Sequence, residues 1–344
     1  MVAYDLAFHV LHCFLSSIGL VFNVILFVAI VRQTPSNFVS YSFILANSAV
    51  VDLLSNIGDM LVIQRIIPSS PILAYLFYGP CGSARFCYLI YIVMVHFLIH
   101  SLLLLCVAFW YRYAVLVKSP APSRRRLAVI IFAVYLPSFF QMFSLSFGQG
   151  REEVLSSHIL NIYPQIDLGS FILTGHESMT DLLTAASIAY VACTPTPAYA
   201  FILFMRFKAS PSLFTLSRLQ ESPYNVVMSR LSALSAQMSS KTKKTHKQLI
   251  TALTFHALLP TGYILAVAFF SVMFFGIYHH PLLEYAVFVI TSIPPTINPL
   301  LTLYFVGPYR RLVASSLGIT DKSSVSAVGP PSTSRRIVSN VTEF

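Results

Sequence analysis

Seven stretches of the chain keep apolar residues in near-continuous runs: Leu6 to Val31, Phe38 to Ile63, Phe86 to Val117, Leu127 to Phe147, Leu182 to Phe207, Leu249 to Phe275 and Leu283 to Val306. A helix rising about 1.5 Å per residue needs roughly 20 such residues to cross about 30 Å of hydrocarbon, and each run reaches that length. Helix breakers separate them. Pro35 interrupts 33–37, three prolines fall within 68–80, and Pro120 and Pro122 stand beside a triple arginine within 118–126, so these segments read as turns. The third run is longer than a bilayer requires, and its end near Arg112 is expected to protrude. The pattern predicts an all-α fold, a seven-transmembrane helix bundle.

Beyond the last run, Pro308 to Gly318 sets Tyr309, Leu312, Val313 and Leu317 at helical spacing opposite Arg310 and Arg311, which suits a short amphipathic helix on the inner leaflet. Residues 1–318 then form one membrane domain. Residues 319–344 are rich in Ser, Pro and Gly and read as a disordered cytoplasmic tail. The basic, Ser-rich loop from Lys208 to Lys247 reads as solvated too, while the mixed polar loop from Gly148 to Thr180 is placed to cap a pocket.

Composition sharpens this picture. The 344 residues are 56% hydrophobic and 10% charged, against about 25% charged in soluble domains, which excludes an ordinary soluble protein. A net charge of +10 would suggest nucleic acid in a soluble chain, but its distribution points elsewhere. With the N-terminus extracellular, 19 of the 22 Lys and Arg residues fall in cytoplasmic segments, as the positive-inside rule requires. Only Arg65, Arg85 and Arg151 lie outside, beside seven of the 12 acidic residues. The surplus is a signature of topology and of an inner surface facing membrane lipids, with no nucleic-acid footprint. No basic segment or small-residue cleavage site precedes the first run, so it reads as a retained span.

Ionisable groups inside a span are costly and by default functional. Asp52 stands midway along the second span and reads as the only deep acid; Asn56 follows one turn later, Asn23 lies at similar depth in the first span and Asn298-Pro299 in the seventh. These groups suggest a shared interhelical hydrogen-bond cluster, the alternative being that each bonds locally to backbone. Arg112 sits among aromatics in Phe109-Trp110-Tyr111-Arg112-Tyr113, where snorkelling to lipid phosphate would also place it. Pro195, Pro197, Pro260, Pro294, Pro295 and Pro299 mark kinks, either hinges or static packing features.

Cys13, Cys106 and Cys193 lie inside spans as small packing residues. Cys81 and Cys87 flank the outer start of the third span, where they either pair or remain free thiols. His96 and His100 share a helix face at metal-ligand spacing, and His9, His12 and His256 lie in other spans, but no acid or cysteine completes a metal site. Neither an enzyme nor a cofactor is implied, and the seventh span has no lysine for a retinal Schiff base.

Read in order, several motifs resemble those of seven-helix G-protein-coupled receptors. They are Asn23, Leu45-Ala46 through Asp52, aromatic-Arg112-Tyr113, Ser239-Ser240-Lys241-Thr242 before the sixth span, Pro260, and Asn298-Pro299 followed by Leu303-Tyr304. Within these receptors the chain is similar, from Leu6 to about Gly318, to the nematode serpentine chemoreceptors of class D (Srd). The resemblance implies a chemosensory receptor in the plasma membrane or ciliary membrane of sensory neurons, with a small-molecule ligand and a heterotrimeric G protein as partners. It implies Arg112, Tyr113, Asp52, Asn23, Asn298, Pro299, Tyr304 and Pro260 as the conformational switch and coupling residues. Two departures stand out. Tyr111 replaces the acid that usually precedes the arginine, which removes an ionic lock from that neighbour. Thr302 occupies the usual tyrosine position of the seventh helix, with Tyr304 two residues on.

A ligand pocket is expected between the outer halves of the helices. Candidates are Tyr88, Tyr91 and Met94 on the third, Tyr190 on the fifth, Tyr263 and Phe270 on the sixth, and Tyr285 and Phe288 on the seventh, although aromatic belts at the membrane interface give the same composition. The outer half of the third span carries no acid, so an amine ligand lacks its counter-ion and a neutral or volatile molecule fits better. Arg85 at the rim is a weaker candidate for attracting an anionic group. The alternative function is a multi-span membrane transporter without G-protein coupling, for which internal repeats and several intramembrane charges would be expected.

Overall fold

The computed structural model describes residues 2–35, 38–117, 122–209, 251–252, 254–316 and 318. The first two spans are α1 (Val2–Gln33) and α2 (Val39–Val62), followed by a hairpin of β1 (Gln64–Ser69) and β2 (Ile72–Phe77). α3 (Ala84–Val117) and α4 (Arg124–Leu145) are the third and fourth spans. Next come α5 (Glu152–Ile162) and β3 (Ile172–His176), then the fifth span, divided into α6 (Leu182–Cys193) and α7 (Pro195–Ala209). The sixth span covers Thr254–Phe274, with α8 (Pro260–Phe274) as its main helix. The seventh is α9 (Pro281–Phe305), and α10 (Gly307–Ser316) follows. Seven helical stretches of the described residues are thus long and apolar enough to cross a membrane, each within a few residues of a run read from the sequence.

Local chemistry sets the helix ends. Ser123 accepts the Arg126 amide at the start of α4, and Asp181 accepts the Thr184 amide at the start of α6. His280 accepts the Leu282 amide ahead of α9, whose first residue, Pro281, occupies a position where a missing N–H costs nothing. Pro195 and Pro197 have no amide to offer the carbonyls four residues back, and the fifth span breaks at Thr194. Pro260 opens α8 after a turn at 257–259 instead of kinking a continuous helix. α3 is the best-buried span, while Phe132, Phe139, Phe140 and Phe143 of α4 and Phe204 and Phe207 of α7 face outward. Such an apolar exterior suits hydrocarbon.

One end of the bundle carries a feature that the turn reading of 68–80 missed. β1, β2 and β3 form an antiparallel sheet in that order, pairing Ile66 with Tyr75 and Tyr75 with Thr174. Alternate side chains take opposite faces. Ile66, Leu73, Tyr75 and Phe77 pack into the bundle, while Ile67, Ile72, Ala74 and Leu76 pack beneath Leu155 and Ile159 of α5. With both faces buried, no polar alternation was available to announce the strands. β1 is an edge strand, which tolerates Pro68. Gly175 is required where β3 meets β2, since a Cβ there would lie 2.1 Å from the Leu73 carbonyl oxygen. The loop from Gly148 to Thr180 therefore contributes a helix and a strand, and a Cys81–Cys87 disulfide ties the segment after the hairpin to the first turn of α3.

At the opposite end, α10 covers all but the end of the short helix expected from Pro308 to Gly318. Tyr309 is buried, its hydroxyl 3.1 Å from Thr34 Oγ1, and Leu312 and Val313 pack partly on the bundle. Leu317, the Ser239–Thr242 motif and the 319–344 tail lie outside the described residues.

Candidate functional site

Asp52 is fully buried, and its carboxylate accepts from Asn298 of α9 at 2.7 Å and from Ser101 of α3. Asn56 donates to the Asp52 backbone carbonyl at 2.7 Å, and Thr296 donates to Asn56 Oδ1 at 3.4 Å. α1 approaches closely here: a Cβ on Gly19 would fall 2.4 Å from Asn56 Oδ1. Asn23 reaches this region without touching Asp52, donating to the Pro295 carbonyl at 3.0 Å. The reason lies in Pro299, which has no N–H for the carbonyl four residues back, so an amide from α1 takes the vacated place. Asp52, Asn56 and Asn298 thus join in one interhelical network with Ser101 and Thr296, which the sequence did not single out, while Asn23 bonds beside it to backbone alone, the Gly19 carbonyl of its own helix at 2.8 Å and the Pro295 carbonyl of α9.

Toward the α10 end, Arg112 is 6% exposed and buried against α2. Its guanidinium donates to the Tyr41 hydroxyl and lies 4.5 Å from the Tyr41 ring centroid. That position departs from the snorkelling reading. A phenol on another helix engages the arginine whose neighbouring acid is replaced by Tyr111. Tyr113, the other coupling candidate, is half-buried. On α9 the motif is rotated: Thr302 is 2% exposed and bonded to the Asn298 carbonyl at 3.0 Å, whereas Tyr304 is 63% exposed. The inward position therefore belongs to Thr302 and not to Tyr304.

Two cavities stack along the axis. The one nearer the sheet, here the upper cavity, lies between α3 and the fifth, sixth and seventh spans and encloses about 790 Å³ of space continuous with the surroundings. Among the described residues its lining is apolar and aromatic apart from Thr291, with no charged side chain. The other, about 550 Å³, is lined by Tyr41, Ser101, Arg112, His256 and Asn298 among others. Tyr263 lines both.

Of the eight pocket candidates, Tyr91, Tyr263, Phe270 and Phe288 line the upper cavity, and Tyr88, Met94, Tyr190 and Tyr285 do not. Tyr88 instead donates to the Leu145 carbonyl at 2.7 Å. Met94 packs against α2 at Gly58, and its sulfur is 3.6 Å from Gln64 Nε2. Tyr190 stays half-buried on α6. Tyr285 bonds Asp5 and stacks on Phe8. Arg85, exposed at the rim, donates to Gln149 at 3.1 Å.

Three buried charged groups, Asp59, Arg65 and Glu284, escaped the sequence reading, and Asp52 is not the only deep acid. Asp59 is 3% exposed and accepts from Ser16 at 2.6 Å, Gln64 at 2.9 Å and Ser292 at 3.0 Å, with His12 Nδ1 at 3.3 Å. Its spacing of two helical turns from Asp52 was the available clue. Arg65, assigned to an outer loop, is 0% exposed and donates from Nε to Glu284 Oε2 at 2.7 Å. Tyr163 donates to the other Glu284 oxygen, and the guanidinium lies 5.2 Å and 5.0 Å from the Tyr163 and Tyr285 ring centroids. Burial works against the Arg65 charge, and the Glu284 carboxylate together with the Tyr285 and Tyr78 phenols outweighs it, holding the guanidinium above its ordinary value. On Tyr163, burial and the same carboxylate push the phenol up.

The histidine pair is an aromatic packing unit: His96 and His100 stack 6.0 Å apart, each edge-on to Tyr135. Among the described residues no group of three or more His, Cys, Asp or Glu is arranged to hold a metal ion.

Comparison with known proteins extends this geometry. The family model described as "Serpentine type 7TM GPCR chemoreceptor Srd" matches residues 8–223 and 222–315. Serpentine receptor class delta-3 of Caenorhabditis elegans is 31% identical over 314 residues, covering 89% of this chain and 86% of that protein. Serpentine receptor class delta-1 of the same organism is 28% identical, covering 85% and 76% respectively. Among solved structures, squid rhodopsin superposes with a TM-score of 0.60 at 13% identity, covering 92% of this chain and 86% of that one, a likeness of fold. The protein is an integral multi-pass membrane protein, and the chain belongs to the Srd family of serpentine seven-transmembrane G-protein-coupled chemoreceptors.

Proposed function

We propose that the protein binds a small neutral or volatile molecule in the upper cavity and activates a heterotrimeric G protein at the opposite end. The observation that carries this reading is the uncharged cavity and its shared residue, Tyr263, which also lines the chamber containing Ser101, Asn298 and Arg112. An uncharged lining offers no counter-ion to an amine or a carboxylate, and desolvating either there would be costly. A ligand pressing on Tyr263 acts on the partition between the cavities. The equilibrium shifts by however much the ligand prefers the conformer with an open inner end. Arg112 then leaves Tyr41 and, with Tyr113, meets the G protein.

In this reading the sheet end is extracellular and the α10 end cytoplasmic, in the plasma or ciliary membrane of a sensory neuron. The 19-to-3 partition of basic residues supports that orientation. Inner-loop Lys and Arg near anionic lipid contribute about 1 kcal/mol each to surface attachment. A ligand screen with a second-messenger readout in heterologous cells tests the function, and epitope tags at both termini test the orientation. Agonist-dependent nucleotide exchange that Arg112→Ala abolishes is the expected result. Substrate flux across sealed vesicles with no nucleotide exchange would overturn it in favour of a transporter.

A further inference from the structure

We propose that the cavity is filled from the bilayer, through a gap between α6 and α8, by an uncharged molecule that has first partitioned into lipid. The proposal rests on the reading of the upper cavity as the ligand site and adds the route and the physical class of the ligand.

The aqueous route over the sheet end is closed by two layers. Ile66, Leu73 and Tyr75 form part of the cavity wall, and the reverse face of the same sheet is covered by Leu155 and Ile159 of α5. Both layers are latched to α9 by one buried cluster, with Arg65 of β1 and Tyr163 beyond α5 both bonded to Glu284. The disulfide fixes the segment after β2 to α3. Lifting this roof separates a fully buried ion pair, a costly step because each charge is left without its partner in a low-dielectric site.

The side wall is different. α6 packs on α4 and α7, and among the described residues it makes no more than glancing contact with α8. The fifth and sixth spans do meet further along, where Thr261 donates to the Tyr199 hydroxyl at 3.3 Å. The break at Thr194, imposed by Pro195 and Pro197, lets α6 diverge from that level toward the sheet. Val191 and Ala192 of α6 and Val267 and Phe270 of α8 line the cavity while remaining half-buried, and neighbouring Cys193 and Leu265 are exposed to the surroundings. Neither α6 nor α8 carries a charged side chain. An ion gains nothing at such a mouth, whereas an apolar molecule dissolved in the acyl chains meets a lining like the one it leaves.

Cysteine accessibility in phosphatidylcholine vesicles tests the route. In a background with Cys13, Cys106 and Cys193 replaced by alanine, Val95→Cys places a thiol on the α3 wall of the cavity. Its modification is followed by mass spectrometry with methyl methanethiosulfonate and with the trimethylammonium reagent, each rate divided by that of the same reagent on free cysteine. The apolar reagent is expected to react at least tenfold faster, Ala192→Trp to slow it at least fivefold, and Tyr163→Phe to leave it within twofold. Equal rates for the two reagents, or acceleration by Tyr163→Phe with no effect of Ala192→Trp, would overturn the proposal. Leu98→Cys and Val267→Trp repeat both arms should either first variant fail to fold. Labelling reads access alone. A protein that labels from the bilayer yet never promotes nucleotide exchange overturns the functional reading and leaves the route standing.

Discussion

Asn298 of α9 donates a 2.7 Å hydrogen bond to Asp52 of α2, and Ser101 of α3 donates to the other carboxylate oxygen, so one fully buried acid ties three helices. Interhelical hydrogen bonds in membranes contribute about 0.6 kcal/mol on average and about 1.7 at most, because the separated helices find other partners. A carboxylate acceptor places this bond toward the upper end. Asn298→Ala is expected to lower stability in detergent by roughly 1–2 kcal/mol. Asn298→Asp is expected to cost more, since two acids would then confront each other at hydrogen-bond distance. Thermal melting of the purified variants checks both, and unchanged midpoints would show that the contact contributes nothing.

The Arg65–Glu284 pair makes a sharper prediction. Removing one member of a buried pair typically costs about 3–5 kcal/mol, because the other charge is stranded. Asp5, 3.9 Å from Arg65 Nη1, softens the loss and places Glu284→Ala near the lower end. Replacing both residues, as Arg65→Met with Glu284→Leu, removes the stranded charge and is expected to recover most of that stability. A double variant as unstable as the sum of the singles would mean that the pair is not coupled in this way.

His176 sets a pH limit on the roof. Its Nδ1 lies 2.8 Å from the Gly148 carbonyl, and its ring sits 5.8 Å from Tyr75 and 5.7 Å from Tyr88. Burial, only partly offset by the Gly148 contact and the Asp181 carboxylate, lowers its pKa to about 4. In the unfolded chain the value returns to about 6.5, so between these limits the unfolded state binds the proton more readily. This contribution is intact above about pH 6.5, is lost at up to about 1.4 kcal/mol per pH unit as pH falls toward 4, and then levels off. His176→Asn is expected to flatten stability against pH across that window. Parallel wild-type and variant curves from pH 4 to 7 would refute the assignment.

How much of this was legible depended on what each feature needs from the sequence. The seven spans need only composition, and their boundaries fell within a few residues. The sheet needed an alternation that its two buried faces erase, and Pro68 and Pro71 pointed to turns. The Arg65–Glu284 latch joins positions 219 residues apart and leaves no local trace. Four pocket candidates missed the cavity because residue type specifies an aromatic ring and not the direction in which it points. Tyr88 and Tyr91 share a helix, yet one bonds α4 and the other lines the cavity.

The same geometry decides between Thr302 and Tyr304. Two residues along a helix with 3.6 per turn amount to about 200° of rotation, so the pair faces opposite sides. Thr302 points inward and sits 3.3 Å from His256 Nε2, joining α9 to the sixth span just before the turn that precedes Pro260. An opening of the inner end that moves the sixth span must break or carry that contact. Thr302→Val keeps the shape and removes the hydroxyl, so it is expected to change basal and ligand-stimulated nucleotide exchange. Tyr304→Leu, altering an exposed side chain, is expected to leave both within twofold and stability within about 0.5 kcal/mol. Loss of exchange in Tyr304→Leu with a normal Thr302→Val would mean that the outward residue carries the switch, and that the rotation of α9 found here is not that of the signalling state.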